Sequence, residues 1–273
     1  MKKLFEVIRV LGLKGGMLLV LYKILYNKLQ SFKSTLGILE WSKSHQAKLE
    51  DESGLLALQG LPQFPSQLIR FRPYTSDPLV VRQHFFGQEL LPVVNYFHSK
   101  GTVPRQMIDA GGNIGVAAAY MQAYFPELQV LLIEPSEKNC KVAEKNVVST
   151  KSEIWQKALW WREEILHLDQ NRPAWGMKVS VKKNSERGEV QGISLSEILL
   201  NPRFQTIDYI KIDIEGAEEE VFAKDKSLEE LVLGIACISV EPHSESGGIL
   251  LAQKLTEWGY RLEYHGELIF GFR

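Results

Sequence analysis

The 273-residue chain carries 32 Lys/Arg against 33 Asp/Glu, a net charge of −1, with 45% hydrophobic and 24% charged residues. That size suits one generous α/β domain with an appendage or two small domains, and the balanced charge offers nothing global to attract nucleic acid. Two cysteines, Cys140 and Cys237, argue against a disulfide framework or a zinc cluster and fit a reducing, cytoplasmic setting.

The first stretch, Met1 to Thr35, holds seven Lys/Arg and one acid, Glu6, a local charge of +6 that leaves −7 for the remainder. Its apolar runs are broken by Lys14 and Lys23, far short of the ~20 residues that cross a bilayer. Leu4, Ile8, Leu11, Leu18, Leu25 and Leu29 recur at helical spacing, and Gly15-Gly16 interrupts them. The basic residues do not collect on one face. The expectation is therefore helices that pack on the main domain, with peripheral contact to an anionic membrane through residues 1–35 as the alternative. Residues 1–60 read as a helical extension and linker, and 61–105 as a lead-in of helix and loop. Within it, Leu61-Pro-Gln-Phe-Pro65 marks a turn-rich boundary, and Arg70 to Thr75 reads as a short strand or loop. Asp77 to Phe97 has helical character, with Pro78 in a first turn.

From Gln106 onward strand and helix alternate, the pattern of a mostly parallel sheet with helices on both faces. The expected strands are Gln106–Ala110, Val130–Glu134, Glu153–Ala158, Tyr209–Asp213 and Cys237–Glu241. Helices are expected over Ile114–Tyr124, Glu137–Val147, Ser196–Leu200, Ala217–Phe222 and Ile249–Trp258. Leu159 to Gly192 reads as a less regular insertion of short strands and turns. Tyr260–Tyr264 and Glu267–Phe272 flank His265-Gly266 as an antiparallel hairpin.

Three clusters carry chemistry. In the first, Asp109 ends an apolar run and Gly111, Gly112 and Gly115 follow with Asn113 in a strand–turn–helix junction. Such a turn presents backbone amides and a helix N-terminus to a nucleotide-like ligand. Its spacing cannot supply Gly-x-Gly-x-x-Gly, which excludes a dinucleotide fingerprint. The turn resembles motif I of the class I S-adenosylmethionine (SAM) methyltransferases. Glu134 ends the next strand, followed by Pro135, and a carboxylate there can accept hydrogen bonds from ribose hydroxyls. Asn113 either adopts a left-handed backbone or bonds the cofactor carboxylate.

The second cluster is Ile207 to Glu218, where period-two alternation puts Lys211, Asp213 and Glu215 on one side of the strand line. A buried lysine beside two acids calls for a Lys211–Asp213 or Lys211–Glu215 contact. Glu218 either contributes to the site or simply complements a helix N-terminus. The third cluster is Glu241-Pro242-His243, at the end of the fifth strand. Asp213, Glu241 and His243 should converge, either to take the proton of an acceptor hydroxyl or to hold a divalent metal. Trp160, Trp161 and Trp175 in the insertion are candidates for stacking on sugar rings, with at least one expected in the core.

Ile108-Asp-Ala-Gly-Gly-Asn-Ile-Gly115, Ile133-Glu-Pro-Ser136, Asp208-Tyr-Ile-Lys-Ile-Asp-Ile-Glu-Gly-Ala-Glu218 and Glu241-Pro-His243 together resemble the FkbM family of SAM-dependent methyltransferases. The resemblance covers about Asp77 to the C-terminus. It implies a Rossmann-like class I fold over 106–273: a mostly parallel seven-stranded sheet with a C-terminal antiparallel hairpin and the N-terminal helices appended. It also implies SAM bound by Asp109, Gly111, Gly112, Asn113, Gly115, Glu134 and Pro135. Lys211, Asp213, Glu215, Glu241 and His243 would act on the acceptor, often a sugar or natural-product hydroxyl. Gly112 stands where many members carry alanine, a change expected to cost little. Two rivals are an N-methyltransferase and a silent SAM-binding scaffold. Amino-group enzymes of this fold commonly carry an Asn/Asp-Pro-Pro-aromatic run, which Asp213-Ile-Glu-Gly216 is not, and the paired acids argue against the scaffold.

Overall fold

The computed structural model describes residues 29, 32–61, 63–168, 179–180, 188–204 and 206–273. Nearly all of the basic N-terminal stretch, and Trp175, lie outside these residues, so the packing and membrane readings of that stretch are not placed. Among the described residues no helix is long and apolar enough to cross a membrane.

A helix over residues 32–44 (α1) precedes three antiparallel strands, β1 (Lys48–Glu52), β2 (Leu55–Leu61) and β3 (Phe64–Phe71). This small sheet replaces the linker and turn boundary expected there. Leu58, Ile69 and Phe71 are fully buried, so the strands exist to cover a core face rather than to connect domains. Gly60, at φ +85°, kinks β2 where its register with β3 shifts, which disguises the hairpin as a turn-rich break. Next come α2 (Asp77–Val81), with Pro78 in its first turn, a π-helix over Arg82–Phe86 and α3 (Leu91–Ser99).

The βα series then runs β4 (Gln106–Ala110), α4 (Val116–Tyr124), β5 (Gln129–Ile133), α5 (Glu137–Asn146) and β6 (Ser152–Trp155). The short strands of the insertion pair into a sheet of their own. β7 (Ala158–Trp160), β8 (Ile165–Leu168), β9 (Val179–Ser180) and β10 (Gly188–Ser194) form a separate sheet in the order β7-β10-β8-β9. There follow α6 (Leu195–Leu199), β11 (Ile207–Ile212), α7 (Glu218–Lys224), α8 (Leu228–Leu231), β12 (Cys237–Val240), α9 (Glu245–Glu257), β13 (Arg261–His265) and β14 (Leu268–Phe272). α9 starts four residues earlier than its apolar periodicity, because the Ser244 hydroxyl accepts from Gly247 N and caps it.

The main sheet has seven strands in the order β13-β14-β12-β11-β4-β5-β6, parallel except for the β13–β14 hairpin. β4 connects outward to β5 on one side while its other neighbour is β11. The sheet therefore has a topological switch between these two strands, and the crevice at their carboxyl ends is where such sheets bind ligands. Alternation assigns the faces. Ile108, Ala110, Ile210 and Ile212 enter the core on one face, whereas Met107 and Tyr209 belong to the core on the other. Asp109 and Lys211 share that second face, the one covered by α4 and the lead-in segment.

Candidate active site

A cavity of about 670 Å³ opens at the switch point. Its lining joins the glycine turn (Gly111, Gly112, Asn113), the end of β5 (Glu134, Pro135), the ends of β11 and β12 (Lys211, Asp213, Glu215, Glu241, His243), and the lead-in helices. Ten of the twelve residues expected at the site line it; Asp109 and Gly115 lie behind the wall.

The turn works by removing side chains more than by offering amides. The N–H groups of Gly111 and Gly112 both donate to Ile133 O, at 2.8 and 3.1 Å, and that of Gly115 to Gly112 O. Asn113 N donates to Glu134 Oε2 at 2.9 Å. Four amides expected to face a ligand are thus spent on the protein. A Cβ at Gly111, where φ is +76°, would fall 1.7 Å from Asp213 O, which brings the turn hard against the β11 loop. Gly112 is tight as well. Its Cβ would lie 2.3 Å from Leu132 Cγ, so alanine there is costly in this chain, not cheap as the resemblance suggests. Asn113 takes the left-handed backbone at φ 49°, and its Oδ1 is buried without a hydrogen-bond partner.

Glu134 is buried, yet its carboxylate is well supplied. Besides Asn113 N, Ser136 N and Asn139 Nδ2 donate to Oε1 at 2.9 and 3.1 Å. Burial outweighs these bonds and pushes the carboxyl up to about 7. Three bonds leave one of roughly four lone-pair sites open, so the residue can take a ligand hydroxyl only while it also holds the turn.

Asp109 is wholly buried and neither oxygen has a hydrogen-bond partner. It does not bond the turn's amides. Its partner is Lys211, directly beside it in the parallel register, with Nζ 3.8 Å from Oδ1. Lys211 also reaches Asp213 Oδ2 at 3.2 Å, the contact expected from the sequence. Burial alone would drain charge from this lysine. The carboxylates of Asp213, Asp109, Glu241 and Glu89 outweigh it and hold the ammonium above its ordinary value.

His243 centres the acidic cluster. Nδ1 contacts Glu218 Oε1 at 2.9 Å, and Nε2 faces Glu215, Glu241 and Asp213 at 3.5, 3.7 and 3.8 Å. Glu218 is itself buried, at the first residue of α7, and accepts from Ile214 N and Gly216 N. It is thus both a loop clamp and the group that orients the imidazole. The ring pays desolvation, but Glu218, Glu215 and Asp213 raise its pKa to about 9. Glu241, half-buried and beside Asp213, is pushed up to about 8 by desolvation and the neighbouring charge. One oxygen each of Asp213 and Glu241 and one His243 nitrogen lie within 4.8 Å of one another, a spacing that suits a cation.

Residues that the sequence reading missed come from the lead-in. Ser76, Leu79, Val80, Gln83 and His84 line the cavity, as does Glu267 from the hairpin turn. No motif flags them. The one signal was Pro78, which fixes where the helix starts. Neither Trp160 nor Trp161 lines the cavity. Trp160 is buried and bonds Glu164, while Trp161 lies under Arg162 and Lys224.

A family model described as the methyltransferase FkbM domain matches residues 109–262. No curated protein matches the chain. Among solved structures, the methyltransferase domain of METTL16 is 15% identical with a TM-score of 0.45, covering 88% of this chain and 90% of that one. Magnesium protoporphyrin IX methyltransferase from Synechocystis PCC 6803, with bound SAM, is 13% identical, with 71% and 80% coverage and a TM-score of 0.39. A precorrin-6y C5,15-methyltransferase from Geobacter metallireducens GS-15 is 11% identical, with 62% and 80% coverage and a TM-score of 0.36. The family match spans more than half of the chain and begins at Asp109, at the junction of strand and glycine turn: this chain belongs to the FkbM family of methyltransferases.

Proposed function

We propose that the protein transfers the methyl group of SAM to a hydroxyl oxygen of a sugar in a glycan, glycolipid or natural product. The observation that carries this reading is His243, oriented by Glu218 and surrounded by three carboxylates on the cavity wall. An alcohol is a weak nucleophile, so its proton needs a destination, whereas an amine needs only to be neutral.

The residues present fit SAM. The backbone of Gly111 and Gly112 lines the cavity, Glu134 retains an acceptor site for ribose, and Asn113 Oδ1 is a buried acceptor lacking a donor. SAM supplies a methyl group on a sulfonium that is already a strong electrophile. The chain's own work is alignment, exclusion of water and proton removal. With SAM bound, its methyl group would pass to the hydroxyl oxygen with the carbon–sulfur pair left on sulfur, and His243 Nε2 would take the hydroxyl proton. The imidazolium then sits among carboxylates that favour it. Because that nitrogen already holds a proton near neutral pH, the rate should climb toward pH 9.

The second reading is a divalent cation in place of that proton. Asp213, Glu241 and His243 would hold it, and it would lower the pKa of a bound hydroxyl. Activity that survives exhaustive chelation excludes this variant and leaves the base. The function itself is tested by incubating the protein with labelled SAM and a glycan and lipid extract. O-methyl label in a carbohydrate fraction is expected; label confined to amino groups of protein would overturn the reading. The same test separates an enzyme from a silent scaffold. Peripheral contact of residues 1–35 with a membrane belongs to the same proposal, and deleting them should then shift the protein out of the membrane fraction.

A further inference from the structure

The second histidine of the cavity has no role in the scheme above. His84 lies in the π-helix over Arg82–Phe86, a geometry that recurs at functional sites, and only 3% of it is exposed. It lines the cavity together with Gln83, yet its Nδ1 has no hydrogen-bond partner. The nearest carboxylate, Glu89 Oε2, stands 3.8 Å away, and Glu89 is buried and tethered through Oε1 to Gln83 Nε2 at 2.8 Å. An unpaired buried donor or acceptor is costly and calls for an explanation, such as a ligand that completes it.

The two histidines are driven apart. Burial, reinforced by the Lys211 charge, pulls His84 down to about 3, whereas His243 rises to about 9. His84 is therefore a neutral ring at any working pH, with one nitrogen that donates and one that accepts. That suits a hydroxyl, which can do both. It does not suit an anion, which the carboxylates along the same cavity would also repel.

We infer that His84, beside Glu89, forms an acceptor subsite in which the unpartnered Nδ1 of the imidazole bonds a second hydroxyl beside the one methylated. The acceptor is then an uncharged polyol such as a pyranose ring, not a phosphate, a carboxylate or a lone alcohol. This rests on the hydroxyl-transfer reading and adds the group that reads the neighbour. The residues involved precede the segment that matches the family model.

The test uses the full chain, labelled SAM, a panel of methyl hexopyranosides, and the deoxy counterparts that lack one hydroxyl next to the reacting position. The wild-type should prefer a parent glycoside to its deoxy analogue by roughly 100-fold or more in kcat/KM, because a site built for a hydroxyl is left unpaired without it. In His84→Phe that preference should collapse to a few-fold, with SAM affinity by calorimetry unchanged and Tm equal or higher. His84→Gln, which keeps a polar atom, should retain part of it and serves if the phenylalanine variant does not fold. A preference that survives in both variants overturns the subsite, as does a loss of SAM affinity in parallel with the preference. If wild-type protein binds SAM but methylates no glycoside, the sugar-hydroxyl reading itself fails and takes the subsite with it.

Discussion

Lys211 and Asp109 stand side by side in the parallel register of β11 and β4, with Nζ 3.8 Å from an Asp109 oxygen that has no hydrogen bond. Removing one member of a buried pair leaves an uncompensated charge and costs about 3–5 kcal/mol. Lys211→Met should lose that much in urea denaturation at pH 8. Burial already pushes the Asp109 carboxyl up, so protonation can relieve part of the loss, and the deficit should shrink at pH 5. Adding Asp109→Asn should recover much of it at both pH values. A deficit that ignores pH and the second substitution would show that the pair carries no charge.

Gly112 makes a sharper steric case. Its Cβ would lie 2.3 Å from Leu132 Cγ and 2.8 Å from both Leu132 methyls, in a strand packed on both faces. Overpacking of this kind costs about 1–3 kcal/mol. Gly112→Ala should fall in that range, and Leu132→Val should restore most of it. Gly111→Ala should not be rescued that way, because its Cβ meets the backbone carbonyl of Asp213 and its φ is positive. Midpoints of chemical denaturation for the three variants decide the matter.

What could be read in the sequence divides by how local the information is. Short apolar runs reaching Asp109, Glu134, Asp213 and Glu241 placed these strands to within two residues, and strand ends gather at one rim whatever the loops do. The glycine spacing gave the turn. Contacts that depend on pairing were hidden. Asp109 meets Lys211 through a register between strands about a hundred residues apart, so only the local Lys211–Asp213 contact was foreseeable. Glu218 read equally as a site residue or a helix-start acid because its second partner, His243, arrives from another strand. His84, Gln83 and Glu89 carry no motif at all, since a cavity lining needs only position. The β1–β3 sheet was obscured by a single kink at Gly60.

The cluster around His243 makes stability fall with alkaline pH. The ordinary histidine value of 6.5 is raised to about 9 here, so between those limits the folded protein keeps a proton that the unfolded chain has released. Glu241, raised from 4.5 to about 8, acts in the same sense over the lower part of that window. His84 is lowered, and its opposite contribution is lost only as pH falls below 6.5. Calorimetry should therefore show Tm declining steadily from pH 6.5 to 9, with a flatter slope in His243→Gln. A Tm that rises across this range would contradict the arrangement.

Arg72 reaches the cofactor side of the cavity through one amide. Asp77 holds its guanidinium at 2.8 and 2.9 Å, Arg72 Nη2 donates to Asn139 Oδ1 at 2.8 Å, and Asn139 Nδ2 donates to Glu134 Oε1 at 3.1 Å. The guanidinium thereby fixes which end of the amide faces Glu134. Asn139→Asp would keep an oxygen for Arg72 but set a second carboxylate against Glu134, already raised to about 7. Like charges at that distance disfavour ionisation, so the Glu134 pKa should climb by about one unit or more. If the ionised carboxylate binds the ribose, SAM affinity measured by calorimetry should fall roughly fivefold or more at pH 7 and return toward the wild-type value by pH 9. A purely structural lesion would weaken binding equally at every pH, and unchanged affinity throughout would remove Glu134 from the ribose site.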